Sequence, residues 1–264
     1  MRLTLVSMVE KCVWGDVPPG FKRLSPHRGQ MVLVREGLEG SLHPAEFFRE
    51  GEAEQKTSPF HGRGQLRRLR LDNGESALVR GYRHGGTLRH LTGDFFFTWP
   101  PRPFKELAIT EEVRRRGVPT LEVLGAGVER VGGPIYRGWL ITRELKDARD
   151  LWDVLQHGLY CEDDGTGLLQ AVARSVRYMH RQGVYHRDLN LKNIMVRREG
   201  KQVRGYIIDF DKAELFAGEL PAHRIQRNLR RLLRSVCKLD PNRQRLSPGD
   251  WDLFIRFYRE ASAG

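Results

Sequence analysis

The sequence predicts an α+β protein in two lobes, a small strand-rich lobe followed by a helical one. Three observations carry that expectation. A strand-like segment at residues 66–71 is joined to a second at 77–80 by Asp72-Asn73-Gly74, a turn sequence suited to a hairpin. From Thr166 to Gln182, Leu168, Leu169, Val172, Val176 and Met179 recur near helical spacing. Strand signals concentrate before residue 143 and helix signals after it, so residues 1–143 are expected to form the first lobe and 144–264 the second.

Taken in order, Pro18-Pro19-Gly20 and Ser25-Pro26 mark turns, and Met31-Val32-Leu33-Val34 reads as a short strand. Gly62 and Gly64 lead into Leu66-Arg67-Arg68-Leu69-Arg70-Leu71, and Ala77-Leu78-Val79-Arg80 is the return strand. Residues 83–103 read as loop, with Gly85-Gly86 and an aromatic run from Phe95 to Trp99. That run suits packing better than a sugar platform. A helix is expected from Pro103 to Arg116, opening on proline and closing at Gly117, with Phe104, Leu107, Ala108 and Val113 on its packed face. Strands follow at 121–128 and 138–142, separated by a Gly133-Pro134 turn, and character changes to helix beyond Leu145. Residues 194–196 and 205–208 read as strands around Arg198-Glu199-Gly200-Lys201, and helices are expected from about Ala222 onward.

With 264 residues the chain can bury a substantial core. Its 45 Lys+Arg against 33 Asp+Glu leave a net charge of +12, which favours anionic partners: nucleotide phosphates, nucleic acid or acidic lipid head groups. Its arginine clusters are not interleaved with aromatics for base stacking, so no nucleic-acid partner is expected, and no specific protein partner is inferred. Cys12, Cys161 and Cys237 are too few and too scattered for a disulfide framework or a zinc site. The apolar start of the chain meets Glu10 and Lys11 too early for a signal peptide, and no run of about 18 apolar residues occurs, so a cytoplasmic address is expected.

Chemistry concentrates in two short segments. His186-Arg187-Asp188-Leu189-Asn190-Leu191-Lys192-Asn193 carries all fixed positions of the kinase catalytic loop His-Arg-Asp-Leu-x-x-x-Asn. A carboxylate there can orient an acceptor hydroxyl and take its proton, a role that falls to Asp188, and the amide oxygen of Asn193 can help hold Mg²⁺. The plainer reading, a turn whose Asp and Asn act as caps, does not account for the helix before the loop and the strand after it. Gly205-Tyr206-Ile207-Ile208-Asp209-Phe210-Asp211 then delivers Asp209 from an apolar strand, as in the Asp-Phe-Gly element whose Asp binds Mg²⁺. Asp211 replaces the glycine and restricts the backbone there.

The upstream correspondences are looser. Arg80 occupies the place of the nucleotide-positioning lysine, and a guanidinium can grip phosphate oxygens bidentately. Its helix partner would be Glu106, whose alternative reading is a solvated first-turn glutamate favoured by the helix dipole. Gly62 and Gly64 in His61-Gly62-Arg63-Gly64 would be the remnant of a glycine-rich loop over the phosphates. Glu144 lies where an inter-lobe hinge would meet adenine through its backbone, or where a plain connector would run. Together these features point to a protein-kinase-like two-lobed fold using ATP and Mg²⁺.

HRDLNLKNI and IIDFDKAEL, preceded by LVRGYRHGG and RPFKELAITEEVRRRGVPTLEVLGAG, resemble the bacterial lipopolysaccharide kinase family, and within it the 3-deoxy-D-manno-octulosonic acid (Kdo) kinases. The resemblance covers roughly residues 60–215. It implies transfer of the ATP γ-phosphoryl group to a hydroxyl of Kdo on a lipid A precursor, in lipopolysaccharide core biosynthesis at the cytoplasmic face of the inner membrane. It also implies that Asp188 activates the hydroxyl, Asn193 and Asp209 hold Mg²⁺, and Arg80 with Glu106 positions the nucleotide. No Ala-Pro-Glu element follows Asp209, which suits a glycolipid acceptor better than a polypeptide. Residues 223–239 read as a helix with Arg224, Arg227, Arg230, Arg231, Arg234 and Lys238 around an apolar side, a face that could approach anionic lipid or remain simply solvated. The rival readings are a kinase for a core heptose, small molecule or protein, and a non-catalytic scaffold that would have no chemical need for Asp188, Asn193 and Asp209 together.

Overall fold

A computed structural model describes residues 17–48, 66–82, 95, 96, 98, 100–132, 135–159 and 165–261. Packing divides them into two units, one holding the described residues of 17–112 and 121–144, the other those of 113–120 and 145–261. The fold is α+β and protein-kinase-like, with a β-rich unit and a largely helical one.

The first unit is built on six antiparallel strands in the order β1-β2-β5-β6-β4-β3. These are β1 (Phe21–Leu24), β2 (Gln30–Arg35), β3 (Leu66–Arg70), β4 (Ser76–Gly81), β5 (Val123–Gly132) and β6 (Ile135–Arg143). The expected hairpin forms, pairing Leu66 with Arg80 through Arg70 with Ser76, and Gly74 supplies the left-handed residue of its turn at φ 79°. Because side chains alternate across a strand, the sheet makes two cores. Leu33, Ala126 and Leu140 pack on one face with Phe104 and Leu107 of helix α2 (Arg102–Arg115). Val32, Val34, Val79, Leu124 and Ile141 pack on the other with Leu42 and Phe47, the latter from the short helix α1 (Ala45–Phe48). A side chain at Gly125 would meet Phe47 at 2.7 Å, so glycine there lets the ring lie on β5. Neither β1 nor α1 was expected, since the first is only four residues of mixed polarity and the second is held by its partners.

The second unit begins, after residues 113–120, with β7 (Arg149–Asp150) and α3 (Leu151–His157), capped by Asp150 and ended by Gly158 at φ 62°. Then come α4 (Thr166–Arg181), β8 (Val184–Tyr185), the hairpin β9 (Ile194–Glu199) and β10 (Gln202–Ile207), and β11 (Glu214–Leu215). Two helices end the described chain, α5 (Ala222–Leu239) and α6 (Pro248–Glu260), the latter opened by a Ser247–Asp250 capping box. The strands make two small antiparallel sheets, β10-β9-β7 and β11-β8. Helix α4 buries its expected apolar face, including Leu168, Val172, Val176 and Met179.

Residues 113–120 join this unit, where the sequence suggested a single cut at 143. Tertiary hydrogen bonds explain the difference. The Arg116 guanidinium donates to the carbonyls of Gln182 (2.7 Å) and Phe216 (2.8 Å), and the Pro119 carbonyl accepts from the Ile207 amide (2.9 Å).

Candidate active site

The loop from His186 to Asn193 is folded by its own side chains. The Asp188 carbonyl accepts from the amides of both Asn190 and Asn193, each at 2.8 Å, and the Asn190 side-chain oxygen accepts from the Lys192 backbone at 2.9 Å. Its –NH₂ being committed to Asp188, Asn193 keeps its amide oxygen as an acceptor. The Asp188 carboxylate is half-buried and has no hydrogen bond or ion pair among the described residues.

His186 ties this loop to the segment that carries Asp209. Its imidazole is 1 % exposed, accepts the Asp188 N–H at Nδ1 (3.1 Å) and donates from Nε2 to the Ile208 carbonyl (2.8 Å). Both contacts at once require the neutral ring protonated on Nε2, and burial lowers the His186 pKa in the same sense. The ring rests against Phe210, centroids 5.1 Å apart. From the other side the Ile208 amide donates to the Asn193 carbonyl at 3.0 Å. Asn193 and Asp209 are therefore fixed to one another through the intervening Ile208. Asp209 itself adopts φ 67°, a left-handed conformation uncommon for a residue with a Cβ, while Asp211 is not among the positive-φ residues. The unusual backbone of this element thus sits at its first aspartate, not at the position where glycine is replaced.

An amide oxygen and a carboxylate brought together in this way are hard oxygen donors. Such a pair suits a small divalent cation that takes its remaining ligands from phosphates and water. Among the described residues no group of three His, Cys, Asp or Glu side chains assembles as a metal cage.

In the first unit Arg80, on β4, pairs with Glu106 of α2 at 2.5 Å, and the Tyr82 hydroxyl donates to the other Glu106 oxygen. Glu106 is 2 % exposed, so the solvated first-turn glutamate weighed from the sequence is not what the fold contains. A carboxylate buried to that extent needs a cation and donors around it, and the sheet supplies both. Glu144 has its carboxylate on Arg68 through two hydrogen bonds of 2.7 and 3.1 Å, and its amide donates to the Ser76 carbonyl at 2.9 Å. Gly62 and Gly64 lie outside the described residues.

Sequence reasoning missed the residues behind the loop. Asn228 of α5 is fully buried; its amide donates to the His186 carbonyl (2.7 Å) and its oxygen accepts from the His186 amide (3.3 Å). That same oxygen accepts from Nε2 of His180 on α4 (3.1 Å), whose Nδ1 accepts the Tyr258 hydroxyl of α6 (2.7 Å). Burial holds His180 neutral, its pKa pushed down to about 4. A polar residue on an apolar helical face was the available signal, because Asn228 shares its face with Leu232 and Val236.

Residues 52–258 match the lipopolysaccharide kinase (Kdo/WaaP) family. The chain belongs to that family. It is 34 % identical over 184 residues to the 3-deoxy-D-manno-octulosonic acid kinase of Vibrio cholerae serotype O1, covering 67 % of this chain and 73 % of the relative. The corresponding kinase of Pasteurella multocida is 31 % identical over 191 residues, covering 70 % and 76 %. A structure of WaaP in complex with acyl carrier protein aligns with a TM-score of 0.47 and 21 % identity, over 74 % of this chain and 75 % of that one. Family membership makes the protein a kinase. No described helix is long and apolar enough to cross a membrane.

Proposed function

We propose that this kinase transfers the γ-phosphoryl group of ATP to a hydroxyl of Kdo on a lipid A precursor. The observation that carries the phosphotransfer chemistry is the loop in which Asn193 closes on the Asp188 carbonyl while His186 holds the chain entering Asp209. The acceptor rests on the relatives, which are Kdo kinases of comparable length. In this reading the Asp188 carboxylate, without a hydrogen-bond or ion-pair partner among the described residues, accepts the proton of the acceptor hydroxyl as its oxygen attacks the γ-phosphorus. Asn193 and Asp209 would hold Mg²⁺ through their side-chain oxygens, and a cation held there would offset negative charge on the phosphates. Arg80, oriented by Glu106, grips phosphate oxygens, and the backbone at Glu144 faces adenine.

The acceptor would be met at the cytoplasmic face of the inner membrane. Support comes from Arg227, Arg230 and Arg234, which are exposed on α5 and could lie against anionic head groups.

The test is incubation of the purified protein with labelled ATP and Mg²⁺ beside Kdo–lipid A, the same lipid lacking Kdo, and a generic protein substrate. Label is expected on the Kdo-bearing lipid alone. Label on the Kdo-free lipid or the protein would refute the acceptor. No transfer to any acceptor by a folded, nucleotide-binding protein would refute the reading as a whole.

A further inference from the structure

The second unit carries a polar groove that the reaction above does not use. It has a volume of about 750 Å³ and runs between the outer face of α4, the β9–β10 hairpin and the turn at Gly117 and Pro119. Arg174 and Arg181 reach it from α4, and Arg198, Lys201 and Arg204 from the hairpin; among the described residues no aspartate or glutamate lines it. The two α4 arginines stand seven residues apart, two turns along one face of the helix. Ser175 and Gly205 allow helix and hairpin to approach, since the Ser175 hydroxyl bonds the Gly205 carbonyl at 2.9 Å and a Cβ on Gly205 would meet that hydroxyl at 2.9 Å.

Several other arginines of the second unit are matched with carboxylates. Arg177 pairs with Glu219 at 2.5 Å, and Arg187 pairs with Glu214. Arg174, Arg181 and Lys201 are exposed and have no ion pair or side-chain hydrogen bond among the described residues. Arg204 shares Glu199, at 3.5 Å, with Arg197 and the Tyr206 hydroxyl. Like charges gathered on one concave surface repel, and the repulsion is relieved when an anion enters. The volume lies in the range of ligand sites, but the lining is cationic and hydrogen-bonding, with Gln170 and Gln202 beside the charges. Multiple phosphates match such a surface better than one carboxylate does, because guanidinium and ammonium donors can each take a separate oxygen.

We propose that this groove binds a ligand bearing more than one phosphate group, from an anionic lipid head group or from a soluble polyphosphate. Two arms distinguish these sources at fixed ionic strength near 0.1 M. In one, inorganic tripolyphosphate is titrated calorimetrically into the full chain without metal. In the other, the chain is sedimented with vesicles of phosphatidylcholine and cardiolipin, whose head group carries two phosphates, and with phosphatidylcholine alone. Each arm is run on the wild type, on R174Q/R181Q/K201Q, and on the control R28Q/R70Q/R245Q, which removes as many exposed charges elsewhere and keeps the nucleotide site. The groove variant is expected to lose at least about tenfold in affinity in one arm or both, the control less than about threefold. The arm that responds identifies the source. Restoring positive charge in R174K/R181K is expected to return binding to within about threefold, which separates the role of the charge from that of folding. Equal losses in both triple variants, failure of the lysine variant to restore binding, or no binding by the wild type in either arm would overturn the proposal.

Discussion

At Asp188 a backbone is held by amides, whereas at Arg80 a side chain is held by charge. The Asp188 carbonyl takes two asparagine amides, and the peptide of His186 is gripped on both sides by Asn228. Among the described residues the carboxylate that would do chemistry has no hydrogen-bond or ion-pair partner, while the backbone behind it is fixed. Arg80 is paired with a glutamate that Tyr82 also holds, so side chains from the end of β4 and from α2 help set its geometry. The first arrangement suits a proton acceptor, whose usefulness depends on being free to accept. The second suits a phosphate grip, whose guanidinium must stay charged while it keeps donors for a ligand.

The comparison breaks most severely at Asp188. In Asp188→Asn, kcat is expected to fall about 10³-fold with nucleotide affinity nearly unchanged, measured by steady-state transfer beside calorimetric nucleotide binding. A drop in nucleotide affinity matching the fall in kcat would move Asp188 from chemistry to binding.

Asn228→Ala attacks the same loop from behind. It removes three hydrogen bonds in a buried site and is expected to cost about 3 kcal/mol in denaturant unfolding. At temperatures where the variant remains folded, kcat should fall while KM for ATP holds. A lowered KM effect without loss of kcat would show that the network does not position the loop.

The same network predicts an acid limb. An unfolded histidine takes up its proton near pH 6.5, whereas His180 in the folded chain does so only at about 4. Between those values the unfolded state binds more protons, so folding stability should decrease as pH falls from about 6.5 to about 4, by about 3 kcal/mol from this residue. His186, also lowered by burial, acts in the same direction. Thermal unfolding against pH is expected to show the limb, and His180→Gln to flatten part of it. An unchanged slope in that variant would mean that His180 is protonated in the folded protein.

The charge-held region should respond more mildly. Glu106→Gln removes the charge opposite Arg80 and is expected to cost about 2 kcal/mol of stability, discounted from a fully buried pair because Arg80 is 31 % exposed. Nucleotide affinity should weaken about tenfold with little further change in kcat at saturation, read from KM and kcat separately. A kcat loss as large as that of Asp188→Asn would erase the distinction between the two regions.

What could be read from the chain alone was local. The spacing of His186, Asp188 and Asn193 is itself the structure of the loop, because the bonds that fold it span two to five residues. The 66–80 hairpin was legible for the same reason, its turn chemistry lying between the paired strands. The pairing of Arg80 with Glu106 came by analogy with the kinase motif, since 26 residues separate the two. Tertiary structure alone decided the rest. It placed Asn228 and Tyr258 on His180 across 48 and 78 residues, and residues 113–120 in the helical unit. It also gathered cations of α4 and the β9–β10 hairpin on one groove. Local periodicity reports which face of a helix is buried, but the partner that satisfies a buried polar group is chosen by how the elements pack.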